Sequence, residues 1–273
     1  MKPIRMVAVD VDGTLLDSAH RLRAAVRDAL GQLSASGVKV VLATARGPRA
    51  LTMIVSQLRF SPFLICFSGA WIGELDPKSL RARNVLLDQR HTPSAARSIV
   101  ATAFAYHVEP NVFTPDVWRA RTLTKEIQAE SDIIESSPLI TEDLLGDDQA
   151  PNKILLITSE GEPAKVLRTL ASSFLSMSTA TFSKPNYLEI VPIGVDKAKA
   201  LVKLANSLGL ELSQVAALGD GQNDMEMLRE AGLGIAMGNA SDAVKSAADW
   251  ITGTNDEDGV AQAVGRLVSS GLI

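Results

Sequence analysis

The sequence predicts an α/β protein in which a doubly wound parallel sheet is interrupted by an inserted α+β unit. Three observations carry this expectation. Short, β-branched apolar runs alternate with amphipathic helical stretches over the first third of the chain. The same alternation resumes near residue 197 and continues towards the C-terminus. The intervening stretch of roughly 100 residues is far too long for a loop and follows a different, more polar pattern.

Taken in order, residues 6–11 read as a buried strand. Leu22, Val26, Ala29, Leu30 and Leu33 then recur at helical spacing, and Gly37 stops that helix. Residues 38–42 form a second strand, 48–58 a second helix and 63–67 a third strand. Strands this apolar call for a sheet covered on both faces. From 71 to 87 the pattern becomes a polar, hairpin-like connection. The inserted unit holds a helix near 94–106, a polar segment at 112–122, a strand at 153–158, a helix at 163–174 and a strand at 176–182. A helix at 197–208, a strand at 215–218, a helix at 224–231, a strand at 233–237 and a last helix from 259 complete a Rossmann-like core. Residues 1–86 and 186–273 are therefore assigned to one α/β domain and 87–185 to the insert.

Composition narrows the function classes. With 46% hydrophobic and 21% charged residues, the 273-residue chain can bury a sizeable core. A net charge of -4 without a dense basic stretch argues against a nucleic-acid partner. No apolar run approaches the ~20 residues that span a bilayer, so no membrane association is expected. The N-terminal apolar run is too short for a signal-peptide core. Cys66, the single cysteine, excludes an internal disulfide framework and reads as a small buried hydrophobe. A cytoplasmic, reduced protein is expected.

In open α/β sheets, ligands sit at the carboxyl ends of the strands. Strand one ends in Asp10-Val11-Asp12-Gly13-Thr14, strand two in Thr44-Ala45-Arg46, and the helix after the insert opens with Lys197. The next strand runs into Gly219-Asp220-Gly221-Gln222-Asn223-Asp224. Each piece has an ordinary reading as an Asx turn, a helix cap or a solvated lysine. Asp10, however, belongs to the apolar strand, where a carboxylate needs a cation or strong donors. Two carboxylate clusters at one sheet edge also repel each other, and all-oxygen ligation suits Mg²⁺.

Together these residues resemble the haloacid dehalogenase-like phosphatases, specifically Cof-type hydrolases with a type IIB cap. Asp10 to Leu15 is similar to the first motif, and Thr44 with Arg46 to the second. Lys197 is similar to the third motif, Gly219 to Met225 to the fourth, and Asn255 to Ala261 to a C-terminal Cof pattern. Ala45 replaces the usual glycine of the second motif, and Ser68 stands where the family favours asparagine.

The resemblance implies a phosphomonoester hydrolase acting on small phosphorylated metabolites of the sugar phosphate, pyridoxal phosphate or flavin mononucleotide type. Asp10 would be the nucleophile that forms an aspartyl-phosphate, and Asp12 the general acid and base. Mg²⁺ (Mg2+) would be held by Asp10, the main-chain carbonyl of Asp12 and Asp220, with Asp224 and Asn223 orienting its waters or Lys197. Thr44 and Lys197 would bind the phosphoryl oxygens. Arg46, and His107, Trp118, Arg119 and Arg121 of the cap, are candidates to meet the leaving group, whereas Met177 and Phe182 read as core. Competing readings are a phosphomutase or another chemistry on the same fold, and a non-enzymatic phospho-receiver or binding scaffold. Asp12 and the long insert argue against a receiver.

Overall fold

β1 (Met6–Asp10) is buried along its whole length, which is why its five residues read as one apolar run. The computed structural model describes residues 2–76, 78–146, 150–161 and 165–273. A tight turn over residues 11–15 leads from β1 towards α1 (Ala24–Ala35), β2 (Lys39–Ala43), α2 (Thr52–Gln57) and β3 (Phe63–Cys66). β4 (Trp71–Leu75) and β5 (Ala82–Asp88) add an antiparallel hairpin to the sheet.

The insert contains α3 (Pro93–Ala105), β6 (Pro110–Phe113), β7 (Trp118–Ala120), α4 (Lys125–Ile134) and β8 (Leu139–Ile140). It continues with β9 (Lys153–Ile157), α5 (Lys165–Phe174), β10 (Ser178–Lys184) and β11 (Tyr187–Pro192). The core then resumes with α6 (Lys197–Ser207), β12 (Val215–Gly219), α7 (Met225–Glu230) and β13 (Leu233–Ala236). α8 (Asp242–Lys245), β14 (Trp250–Ile251) and α9 (Gly259–Ser269) follow.

The core sheet has the order β14-β13-β12-β1-β2-β3-β4-β5, parallel from β14 to β3. Strand alternation divides its side chains between two layers. Val7 and Val9 pack with Val26, Leu30 and Leu33 of α1 and Val260, Val264 and Leu267 of α9. Met6 and Ala8 face Leu201 and Leu204 of α6 and Met227 and Leu228 of α7. From β1 the chain winds outward to β2 and β3, and from β12 it winds the other way. The switch point therefore lies between β1 and β12, at the end of β1 that carries Asp10.

The insert forms a second sheet of order β10-β11-β9-β6-β7-β8, with its own buried cluster including Ile99, Leu156, Leu167, Phe174 and Ile190. The expected polar segment at 112–122 is instead the end of β6 and the whole of β7. The indole of Trp118 is satisfied internally, Nε1 donating to Asn111 Oδ1 at 3.0 Å. The sheet also runs beyond the expected boundary at 185–186, because β11 pairs with both β10 and β9. The boundary at 86–87 likewise falls inside β5. Residues 163 and 164 of the expected helix at 163–174 lie outside the described residues. The sequence pattern does not reveal α4, although Thr124 caps it and Ile127 and Ile134 face inward at helical spacing.

One turn fixes how the second half of the core meets the first. Phe67, Ser68 and Gly69 all have positive φ, at 51°, 54° and 111°. A Cβ at Gly69 would stand 2.4 Å from the carbonyl oxygen of Asp196, the residue that caps α6. Gly69→Ala is therefore expected to cost more than about 2 kcal/mol through strain and overpacking, lowering the melting temperature by about 4–8 °C. Gly37→Ala, also at positive φ but with nothing near its added Cβ, is expected to cost only about 1 kcal/mol. Thermal melts of the two variants check the contrast.

Candidate active site

Each element delivers its polar residue where its regular structure ends. Asp10 closes β1 and is buried at 5% exposure. The turn after it closes through Gly13 (φ +82°), where a Cβ would stand 2.5 Å from Asp220 Oδ2, so only glycine permits this approach. Thr14 then donates its hydroxyl to Asp220 Oδ1 at 2.8 Å, joining the end of β1 to the loop after β12. Asn239 donates to the Gly13 carbonyl at 2.9 Å and steadies the same turn.

Lys197, in the first turn of α6, is 1% exposed. Its ammonium donates to Asp10 Oδ1 at 2.5 Å and to Asp224 Oδ1 at 2.7 Å. The other Asp224 oxygen accepts from the amides of Asp220 (3.2 Å) and Gly221 (3.0 Å). Carboxylate oxygens of Asp10, Asp220 and Asp224 lie within 4.8 Å of one another.

Crowding of charge sets the protonation pattern. Burial, then the Asp224 charge, pushes the Asp10 carboxyl well above the usual range, with Lys197 opposing. Burial likewise raises Asp220 to about 6, although the Thr14 bond works against it. Burial alone would lower Lys197, but Asp10 and Asp224 outweigh it, so the ammonium is held more tightly than an ordinary lysine's.

Such a cluster fits a hard divalent cation, which takes oxygen ligands and relieves the mutual repulsion. Asp10, Asp220 and Asp224 each bring a carboxylate oxygen to the cluster. Asp224 also braces it, one oxygen accepting from Lys197 and the other from the amides of Asp220 and Gly221. The Asp12 carboxylate is outside the cluster. Arg46 forks onto it, Nε at 2.9 Å from Oδ2 and Nη2 at 2.5 Å from Oδ1, leaving its main-chain carbonyl as what it can offer an ion. Burial would raise Asp12, but the bonds from His20 and Arg46 prevail and hold it far below the usual carboxylate range.

The loop from Thr44 to Arg46 is held by its carbonyls. Ser68 N donates to Thr44 O and Phe67 N to Arg46 O, both at 2.9 Å. Ser68 thus contributes its backbone in a left-handed conformation. The Thr44 hydroxyl, 1% exposed, accepts from Arg46 N at 3.0 Å and keeps its own proton for another acceptor. Arg46, assigned from sequence to the leaving group, faces Asp12 instead.

These residues line a cavity of about 700 Å³ between core and insert. Asp10, Asp12, Thr44, Arg46, Asp220, Asp224 and Asn223 form its core side. Trp118 lines it, as expected, whereas the other candidates from the insert do not. Arg119 and Arg121 fall on the opposite side of β7 from Trp118. Arg121 pairs with Glu109 and lies over Phe104, and His107 is exposed just after α3. Phe182, expected in the core, is 40% exposed and lines the cavity, while Met177 does pack against the core of the insert. Glu130, Lys153, Tyr187 and Glu189 also line it and were not singled out from sequence. For Lys153 and Glu189 a signal existed, since each is a lone charge in an otherwise apolar strand.

The C-terminal pattern has a structural role at the same site. Asn255 donates to Leu16 O at 3.0 Å, Asp256 accepts from Ser18 N at 2.9 Å, and Asp258 is forked by Arg23. Together they pin the loop that brings His20 to within 3.7 Å of Asp12.

A family model described as haloacid dehalogenase-like hydrolase matches residues 7–264. The chain belongs to this family. Among the relatives of this haloacid dehalogenase-like hydrolase is a 5-amino-6-(5-phospho-D-ribitylamino)uracil phosphatase of Bacillus subtilis, 32% identical over 97% of this chain and 96% of its own. The phosphatase YwpJ of the same organism is 28% identical over 97% and 100% of the two chains. A haloacid dehalogenase-like hydrolase of Bacteroides thetaiotaomicron, solved by crystallography, superposes with a TM-score of 0.85 at 30% identity, covering 97% and 99%.

Replacing Lys197 by methionine would leave Asp10 and Asp224 facing each other without compensation. Lys197→Met is expected to destabilise the metal-free protein by about 3–5 kcal/mol, with added Mg²⁺ restoring part of the loss. Thermal melts with and without the ion check this.

Proposed function

We propose that the chain is a Mg²⁺-dependent phosphomonoesterase that passes the phosphoryl group of a small metabolite to Asp10 and then to water. The observation that carries the reading is the buried Lys197 ammonium, bonded at once to Asp10 and Asp224 beside Asp220. Phosphoryl transfer needs an in-line nucleophile and neutralised charge more than elaborate covalent chemistry. Asp10, Asp220 and the Asp12 carbonyl would hold the ion, which supplies positive charge against the phosphoryl oxygens.

The chain's own groups do the rest. Lys197 opposes the rise that burial imposes on the Asp10 carboxyl and neutralises charge on the transferred group. Asp10 attacks phosphorus as the bond to the leaving oxygen breaks, and the Thr44 hydroxyl donates a hydrogen bond to a phosphoryl oxygen. Asp12 in the resting arrangement is a base, since Arg46 forks onto it. That is the form needed to take a proton from water in the second step. To act first as an acid it must be released from Arg46 and take up a proton from solvent, which it then passes to the leaving oxygen. A leaving group that draws the guanidinium away provides that release.

The space open to the leaving group is lined by the aromatic side chains Phe67, Phe113 and Trp118 and by the carboxyl groups of Glu130 and Glu189. This combination favours a group that carries a ring together with hydroxyl donors. Sugar and flavin-type phosphates fit it better than pyridoxal phosphate, which has fewer hydroxyls to offer. The ribitylamino-pyrimidine named for the Bacillus subtilis relative has both features. Such metabolites occur in the cytoplasm, where we propose that the enzyme acts. Among the described residues no helix is long and apolar enough to cross a membrane.

The direct test is phosphate release from a panel of phosphorylated metabolites. Wild type is expected to need Mg²⁺ and to stop on chelation, and Asp10→Asn is expected to lose at least about 10³-fold in kcat. Release without the ion, or by the variant at full rate, overturns the reading.

Metal binding should also depend on pH. A carboxyl titrating at about 6 is mostly protonated at pH 5, so protons displace the ion as pH falls. Mg²⁺ affinity at pH 5 is expected to be about tenfold weaker than at pH 7, by calorimetric titration. The metal-free fold has the opposite trend. The folded carboxyl binds its proton more tightly than the unfolded one, so stability falls as pH rises from about 4 towards 6.

A further inference from the structure

Lys153 opens β9 of the insert, yet its ammonium ends in the core. It is 4% exposed, and Nζ donates to the carbonyl oxygen of Ala45 at 2.9 Å. Glu189 Oε2 of β11 lies 2.9 Å away, and the Phe113 ring of β6 lies below it at 4.7 Å. The ammonium thus hydrogen-bonds the Ala45 carbonyl, with the Glu189 carboxylate in ion-pair range and an aromatic face beside it.

Ala45 is the middle residue of the loop that presents Thr44 and Arg46. Its neighbours' carbonyls are already held by the amides of Ser68 and Phe67 in the left-handed turn. Of the three carbonyls of this loop, the core therefore holds two and the insert holds the third. A burial this deep is tolerated for an ammonium only while its partners stay in place. If the insert swings away, the Ala45 carbonyl loses its donor, and Lys153 with Glu189 leaves the core.

We propose that Lys153 is a positioning residue that couples closure of the insert to the loop holding Thr44 and Arg46. The closed insert tightens the loop; the open insert loosens the hydroxyl and guanidinium that face substrate and Asp12. The coupling rests on the phosphatase reading for its catalytic consequence, though not for its structural one.

The test compares wild type, Lys153→Met and Lys153→Arg by two readouts. The first is hydrogen exchange of the Arg46, Phe67 and Ser68 amides, which needs no activity. Exchange is expected to quicken at least tenfold in the Met variant and to stay near wild type in the Arg variant, which keeps a donor and the charge. The second is steady-state kinetics on acetyl phosphate, too small to reach the insert, and on the best large substrate. In Lys153→Met, kcat is expected to fall 10–100-fold on both substrates, with KM changed less than threefold.

An effect on KM alone, confined to the large substrate, would make Lys153 a direct substrate contact and overturn the proposal. A lower melting temperature with unchanged exchange and kcat would reduce it to an insert-stabilising residue and would overturn the proposal as well. If the Met variant does not fold, the Arg variant decides. Protection with at least a third of wild-type kcat supports the coupling, and protection with more than tenfold loss contradicts it. If wild type releases no phosphate from any substrate, the phosphatase reading fails, and the exchange readout still tests the tie itself.

Discussion

The rest of the site depends on one buried ammonium. Lys197 is 1% exposed and holds two carboxylates that would otherwise repel, one at the end of β1 and one at the start of the α7 segment. Charge is tolerable at this depth only when paired and hydrogen-bonded. The second requirement is met by Asp224, whose remaining oxygen gathers the amides of Asp220 and Gly221. One interaction thereby sets the position of Asp10, the loop bearing Asp220, and the N-terminal turn of α6.

Around that centre the architecture divides the work. The parallel sheet brings Asp10, Thr44 and Asp220 to one edge because the winding reverses between β1 and β12. The insert, built as a separate sheet, roofs the same edge and adds aromatic and acidic side chains over the cavity. Two contacts then join protonation to position: the Arg46 fork on Asp12 and the Lys153 bond to Ala45.

The core was legible in the sequence because buried parallel strands leave unbroken apolar runs, and their polar ends stand out against them. Asp10, Thr44, Lys197 and Asp220 were found that way, and the structure brings them together. Pairings between side chains were not legible. Nothing in the order of residues shows that Arg46 turns to Asp12, or that Asp224 braces Lys197 and the loop amides at once. The insert was read less well because it is antiparallel and partly solvated, so its strands carry polar residues. β7 reads as part of a polar segment, its alternation turns Arg119 and Arg121 away from the cavity that Trp118 lines, and β11 lies just past the expected boundary at 185–186. Lys153 and Glu189 could have been flagged, since a lone charge in an apolar strand needs a partner.

The central claim is that Asp10 carries the phosphoryl group covalently. The most direct measurement is acid quenching of wild type during turnover of a radiolabelled phosphomonoester, followed by peptide mapping. Base-labile label on the peptide containing Asp10, absent from Asp10→Asn, is the predicted result. Turnover with label on a different residue, or turnover with no covalent label under conditions that trap acyl phosphates, would contradict the account.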